Sequence, residues 1–164
     1  MNDQLDNLLE IFEGYRLKRL ELLKKIDIPN SCRDPLSEFS EKIVAILLNA
    51  DPADSRVKKG YDLITSDGTR IEVKYLSNPK GIWKNWHIVT FTEDRDKYAL
   101  VYYEDLSPKG VFVFQKKGLE KVCKALGKRH GNTETELQFT KNNYRDLTSN
   151  PDKFRNLGVE IFLL

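Results

Sequence analysis

The spacing of apolar residues divides the chain into a helical N-terminal segment and a longer region dominated by strands. Apolar side chains recur every three or four residues over 5–26, which indicates one long amphipathic helix or two helices broken after Gly14. A second helix is predicted from about Pro35 to Asn49, because Asp34 suits its N-cap and proline suits its first turn. The first helical segment could pack on the core or on a partner subunit.

Short apolar runs separated by turn residues predict the remaining elements. The predicted strands are 60–65, 69–76, 87–92, 98–103, 111–114, 137–140 and 159–163, the further helices are 118–126 and 143–148, and loops or turns are predicted at 51–54, 66–68, 78–81 and 107–110. The first five strands are expected to form a meander. The pattern predicts a mixed α/β or α+β fold with helices flanking a central mixed sheet.

Length and composition limit the possible classes of protein. The chain has 164 residues, 40% of them hydrophobic and 32% charged, which fits one globular domain with an N-terminal helical segment (1–33) and a core (34–164). No apolar run approaches the ~20 residues of a membrane span, so we expect no membrane association and a cytoplasmic location. The two cysteines and two histidines show no zinc-binding spacing, and the absence of a P-loop motif argues against a nucleotide cofactor.

Basic side chains are clustered, although the formal net charge is only +2. Such clusters suit a polyanionic partner, and aromatic side chains among them could stack on bases. The residues predicted to contact double-stranded DNA are Arg56, Lys58, Lys59, Arg70, Lys80, Trp83, Lys84, Trp86, Lys128 and Arg129. The alternative is that one or both tryptophans belong to the core and that the basic residues are solvated.

The hairpin around Ser66-Asp67-Gly68 carries the candidate chemistry. A three-residue loop closed by a left-handed glycine would place Asp62 opposite Glu72, with Lys74 on the same strand face as Glu72. A two-residue turn would instead place Asp62 opposite Val73, on the wrong face. The predicted site therefore requires a three-residue loop, a bulge, or strands that diverge before Asp62.

Two converging carboxylates form a hard-oxygen site suited to Mg²⁺, and a nearby lysine could hold the attacking water or neutralise charge on phosphorus. Asp62, Glu72 and Lys74 supply these groups. Glu41 is a further candidate, because it lies on the same helical stripe as Val44 and points inward, where a carboxylate needs a partner. Glu38, one turn earlier, is the competing inward carboxylate.

These residues resemble the core motif of the PD-(D/E)XK nuclease superfamily. The match consists of Glu41 on a helix, then Lys59-Gly60-Tyr61-Asp62-Leu63-Ile64, then Arg70-Ile71-Glu72-Val73-Lys74, and it extends from about residue 35 to residue 76. Tyr61 stands where the name of the motif has proline. The chain looks most similar to type II restriction endonucleases.

The resemblance implies a restriction-endonuclease-like fold and a Mg²⁺-dependent endodeoxyribonuclease that leaves 5′-phosphate and 3′-hydroxyl ends. By the same resemblance, Asp62 and Glu72 are metal ligands, Lys74 is the catalytic lysine, and Glu41 supports the metal or water. A homodimer is expected, because one such site cuts one strand and a two-fold axis would deliver the second cut.

Two alternatives remain open from the sequence. A nuclease of the same fold could act on DNA structures in repair, recombination or mobile-element processing. A non-catalytic DNA-binding or subunit-interaction domain could carry the same carboxylates merely paired to basic residues.

Overall fold

The computed structural model describes residues 3–29, 31, 34–54, 60–127 and 136–164. The helices are α1 (Asp3–Lys25), α2 (Pro35–Leu48), α3 (Leu119–Leu126), α4 (Lys141–Ser149) and α5 (Pro151–Arg155), and the strands are β1 (Ala50–Pro52), β2 (Leu63–Thr65), β3 (Arg70–Asn78), β4 (His87–Thr90), β5 (Lys97–Glu104), β6 (Ser107–Gln115), β7 (Glu136–Phe139) and β8 (Glu160–Leu163). The fold is mixed α/β, as predicted. Among the described helices, none is both long and apolar enough to cross a membrane.

The two N-terminal helices follow the predicted pattern. The first helix, α1, runs without a break through Gly14. The second, α2, begins after Asp34, whose side chain accepts a hydrogen bond from the backbone N–H of Leu36 (2.8 Å). It ends at Asn49, which adopts a left-handed conformation (φ 49°). Local capping chemistry therefore sets where α2 begins and ends.

The central sheet has six strands in the order β1-β2-β3-β5-β6-β8, and β4 pairs with β7 in a separate two-stranded sheet. The predicted five-strand meander is wrong, because β3 and β5 are parallel neighbours. Parallel neighbours need a crossover connection rather than a hairpin. The segment containing β4 provides this crossover, since it leaves the central sheet to pair with β7.

Several predicted boundaries also differ from the structure. The β5–β6 turn lies at Asp105 and Leu106, whose φ angles are both positive (49° and 62°), rather than at 107–110, which belongs to β6. Two positive φ angles in a two-residue loop match the twist of the flanking strands. The predicted loop at 51–54 overlaps the end of β1, β2 begins at Leu63 rather than at residue 60, and α5 was not predicted.

Alternating side chains of the central sheet form two cores. One face packs against α2 and contains Val44, Ile71, Val73, Val101 and Tyr103. The opposite face packs against α3, α4 and the β4–β7 sheet, and its buried residues include Leu76, Leu100, Phe112, Phe139 and Leu147. Since Glu72 and Lys74 alternate with Ile71 and Val73 along β3, they lie on this second face. The fold thus directs both charged groups away from α2.

Candidate active site

The hairpin register agrees with the three-residue loop on which the site depends. Leu63 pairs with Ile71 and Ile64 with Arg70, and the backbone N–H of Thr65 donates to the carbonyl of Thr69 (3.0 Å). Gly68 has a φ of 85°, which favours glycine. The same register, extended by one residue, places Asp62 level with Glu72.

Asp62 lies just before β2, where β2 and β3 diverge. Its carboxylate accepts a hydrogen bond from a β3 backbone N–H, in place of a main-chain carbonyl of the neighbouring strand. The N–H of Val73 donates to Oδ2 of Asp62 (2.8 Å), while the N–H of Asp62 donates to the carbonyl of Ile71 (2.9 Å). The carbonyl of Asp62 accepts a hydrogen bond from Ala53 (2.9 Å). One hydrogen bond therefore holds the carboxylate of Asp62 against β3, and two main-chain hydrogen bonds fix its backbone between β3 and Ala53.

Lys74 lies between the two carboxylates. Its ammonium forms an ion pair with Glu72, and its Nζ atom is 3.8 Å from Oδ2 of Asp62. The Glu72 side chain is 9% exposed and that of Lys74 is 45% exposed. Lys74 is therefore the solvent-accessible member of a site whose two carboxylates are largely buried.

Arg95 belongs to the site, although it was not among the predicted site residues. Its Nη1 atom is 3.8 Å from Oε1 of Glu72, and its side chain is only 16% exposed. Its Nε atom is buried without a hydrogen-bond partner in the described part of the chain. The Asp94-Arg95-Asp96 run gave only a weak signal, since such a run usually forms a solvated turn.

Arg70 and Asp96 position the Arg95 loop. The backbone N–H and the Nε atom of Arg70 both donate to Oδ2 of Asp96 (3.0 Å), and Arg70 Nη2 donates to the carbonyl of Glu93 (3.0 Å). The hydrogen bond from Arg70 lowers the pKa of Asp96. Arg70 was predicted to contact DNA, but its guanidinium is engaged in holding this loop on β3.

His87 and Tyr98 adjoin the charged groups on the same sheet face. Nε2 of His87 is 2.6 Å from the hydroxyl of Tyr98. Burial, and then the negative charge of Glu72, raises the pKa of Tyr98. Burial, and then the positive charge of Lys74, lowers the pKa of His87 below its ordinary 6.5. Nε2 of neutral His87 can accept a hydrogen bond from the Tyr98 hydroxyl, so the pair forms an uncharged wall beside Lys74.

His87 is expected to reduce stability in acid. Because its pKa is lower in the folded chain than in the unfolded one, the unfolded chain takes up the proton first as the pH falls below 6.5. The free energy of unfolding should therefore decrease between about pH 7.5 and about pH 5.5, and His87→Gln should decrease less. Urea unfolding of both proteins at the two pH values measures this. Equal losses in the two proteins would contradict it.

Glu41 is buried, as predicted, but it lies on the other side of the sheet from Glu72. It lines a cavity of about 370 Å³ together with Glu38, Ala50 and Leu63, while Asp62 and Glu72 do not border this cavity. Glu38 and Glu41 are both inward, with 3% and 4% exposure. The structure therefore does not bring Glu41 to the carboxylate pair. Helical periodicity identifies an inward side chain but not the sheet face that it meets.

Apart from Arg70, the predicted DNA-contact residues divide into three groups. Lys80, Lys84 and Trp86 are exposed, with Trp86 following Lys84 by two residues at the end of the β3–β4 connection. Trp83 instead stacks on Tyr102 (4.8 Å between ring centroids) and packs on the second core, as the alternative interpretation expected. Arg56, Lys58, Lys59, Lys128 and Arg129 lie outside the described residues.

The donor set at the site fits Mg²⁺ held by two carboxylates. Within the described ranges, no group of three Asp, Glu, His or Cys side chains is placed to hold a metal ion. Mg²⁺ is commonly held by one or two carboxylates, with waters and substrate phosphate as its other ligands. Asp62 and Glu72 meet that requirement, and Lys74 would have to move from its present ion pair with Glu72.

Comparison with family models and with curated proteins finds no relative of the chain. No protein-family model matches the chain, and no curated protein matches it significantly. The functional inference accordingly depends on the geometry of Asp62, Glu72 and Lys74.

Proposed function

We propose that this chain is a Mg²⁺-dependent endodeoxyribonuclease of the PD-(D/E)XK type that hydrolyses double-stranded DNA as a homodimer in the cytoplasm. The observation that carries the proposal is the convergence of Asp62, Glu72 and Lys74 at the end of the β2–β3 hairpin that lies away from its turn. A solvated strand face would not bury two carboxylates beside one accessible ammonium. A type II restriction endonuclease is the preferred form of the proposal.

The chain's own residues have separate tasks in this proposal. Asp62 and Glu72 would hold Mg²⁺, which would supply charge neutralisation at the scissile phosphate and activation of water. Lys74, the most exposed of the three, orients the attacking water or neutralises charge that develops on phosphorus. The uncharged His87–Tyr98 pair restricts solvent access next to Lys74.

DNA digestion tests the proposal. Purified protein is expected to nick or linearise supercoiled plasmid with Mg²⁺ and to be inactive with EDTA. A long linear DNA should then give discrete bands if the enzyme is sequence-specific, and sequencing the ends should find 5′-phosphates. A smear would favour a structure-specific or nonspecific nuclease, and absence of cutting across divalent cations would reject the nuclease proposal.

A second candidate, a non-catalytic DNA-binding domain, is favoured by one observation. Lys74 and Arg95 both lie beside Glu72, so the two carboxylates already face two cations. Such a network can be purely structural. Electrophoretic mobility shifts distinguish the candidates, because this domain would bind DNA equally with and without divalent ions and would cut it under neither condition.

Arg95 is expected to support cleavage by positioning Glu72. Arg95→Met retains much of the side-chain volume but removes the buried charge beside Glu72, so we expect about a tenfold loss of cleavage and about 2 kcal/mol of stability. Plasmid cleavage rates and urea unfolding measure the two effects. Arg145→Met, at an exposed arginine of α4 whose Nη2 atom contacts Asn142 of the same helix (3.4 Å), is the control and should change neither quantity appreciably. Unchanged cleavage in Arg95→Met would remove Arg95 from the site.

A further inference from the structure

The helix α1 presents a row of large apolar side chains that the described chain leaves uncovered. Leu8, Phe12 and Tyr15 follow each other at intervals of four and three residues and are 54–59% exposed. The same row continues into Leu23 and, just past the end of α1, Ile26. Both are buried, and Ile26 lines a cavity together with residues of α2. Among the described residues, nothing covers the N-terminal part of the core-facing side of α1.

Arg19 is the residue of α1 at which the apolar row passes from its buried part to its exposed part. Its guanidinium donates to the carbonyl of Ser31 (3.4 Å), in the connection that follows the helix. Beyond this point, towards the N-terminus, the alternation of three- and four-residue steps matches the seam of paired helices. Soluble monomers rarely expose a continuous apolar row of this kind.

The two halves of α1 carry opposite charge, and this charge pattern is complementary to that of a second, antiparallel copy of the same helix. Residues 3–13 contain four acidic residues and no basic one, whereas residues 15–25 contain five basic residues and one acidic one. Ion pairs within the helix, such as Arg16 with Glu13 (2.6 Å), are exposed and leave this separation of charge in place. A second copy of α1 running in the opposite direction would set each acidic half beside a basic half.

We propose that α1 binds α1 of a second copy of this chain in antiparallel orientation, through the row formed by Leu8, Phe12 and Tyr15. The pairing is two-fold symmetric and closes after two copies, because each helix offers the same surface to the other. A parallel pairing would instead place like charges side by side along both halves. The interface would provide the homodimer of the proposed nuclease, but it is argued from α1 alone and does not rest on that function.

Sedimentation equilibrium of the full-length protein tests the interface. We expect a dimer, and we expect Phe12→Ser to raise its dissociation constant about tenfold or more. Leu17→Ser is the matched control, because Leu17 is similarly exposed (54%) but lies on the opposite side of the helix. Helix content by circular dichroism should be close to wild type in both variants. A wild-type monomer at the highest soluble concentration, or a dimer insensitive to Phe12→Ser, would overturn the proposal.

The orientation of the helices has its own test. Replacing Glu10 and Glu13 by lysine removes the net charge of the acidic half, so an antiparallel dimer should dissociate more readily and a parallel dimer should become tighter. The wild-type dimer should also weaken as NaCl rises from about 50 mM to about 500 mM. Tightening in either experiment would reject the antiparallel arrangement. These dimerisation experiments contain neither DNA nor metal. A protein that dimerises but does not cut DNA would therefore count against the nuclease proposal only.

Discussion

Replacing Asp62 by asparagine is expected to slow DNA cleavage by about a thousandfold or more, which corresponds to about 4 kcal/mol of transition-state stabilisation. The asparagine keeps an oxygen that can accept the N–H of Val73, which donates to Asp62 at 2.8 Å. It removes the negative charge that a metal ion requires. Initial rates of plasmid cleavage at saturating Mg²⁺ measure the effect.

At position 62, asparagine tests catalysis more cleanly than alanine does. Asp62→Ala would leave the buried N–H of Val73 without its acceptor, at a cost of about 1–3 kcal/mol, and would mix folding with catalysis. Asp67→Asn is the matched control, since Asp67 lies exposed in the turn of the same hairpin. Hydrogen bonds from Thr65 and Thr69 lower the pKa of Asp67 to about 2, so it too is ionised. Wild-type cleavage by Asp62→Asn would mean that the active site lies elsewhere.

Replacing Lys74 by methionine is expected to lower cleavage about a hundredfold or more while DNA binding is retained. Methionine keeps much of the aliphatic chain but lacks the ammonium that lies 3.8 Å from Asp62 and pairs with Glu72. Both carboxylates remain, so the metal site should persist. Single-turnover cleavage rates and DNA affinity in Ca²⁺ separate the two functions.

The control for this variant is Lys121→Met, at an exposed lysine of α3 that is not among the predicted DNA contacts. Loss of one surface lysine should weaken DNA binding slightly at most and leave the rate of the bound complex unchanged. If Lys74→Met cut DNA as fast as the wild type, Lys74 would be only a structural counter-ion for Glu72. If it lost DNA binding altogether, the lysine would serve binding rather than chemistry.

The geometry of the hairpin could be predicted because it depends on local rules. The Ser66-Asp67-Gly68 turn sets the strand register, and the register sets which face Glu72 and Lys74 share. The direct contact of Asp62 with the backbone of Val73 was not predictable in the same way. It arises because β2 and β3 separate at this point, which no residue pattern indicates.

The features that sequence reasoning missed depend on contacts between distant segments. The chain after β3 leaves the central sheet because β4 forms an antiparallel pair with β7, which lies about 50 residues later in the sequence. That crossover makes β5 a parallel neighbour of β3 and brings Arg95 beside Glu72. For a related reason the sequence could not show which sheet face Glu41 meets. Its helix stripe correctly predicted burial, but α2 packs on the face of the sheet opposite to Glu72.

Divalent-cation binding tests the central claim most directly, namely that Asp62 and Glu72 form a metal centre. Isothermal titration with Ca²⁺ in the presence of cognate or plasmid DNA compares the wild type with Asp62→Asn and Asp67→Asn. The account predicts saturable binding by the wild type and by Asp67→Asn, and its loss in Asp62→Asn. Equal binding by all three proteins, or none by the wild type with DNA bound, would contradict it.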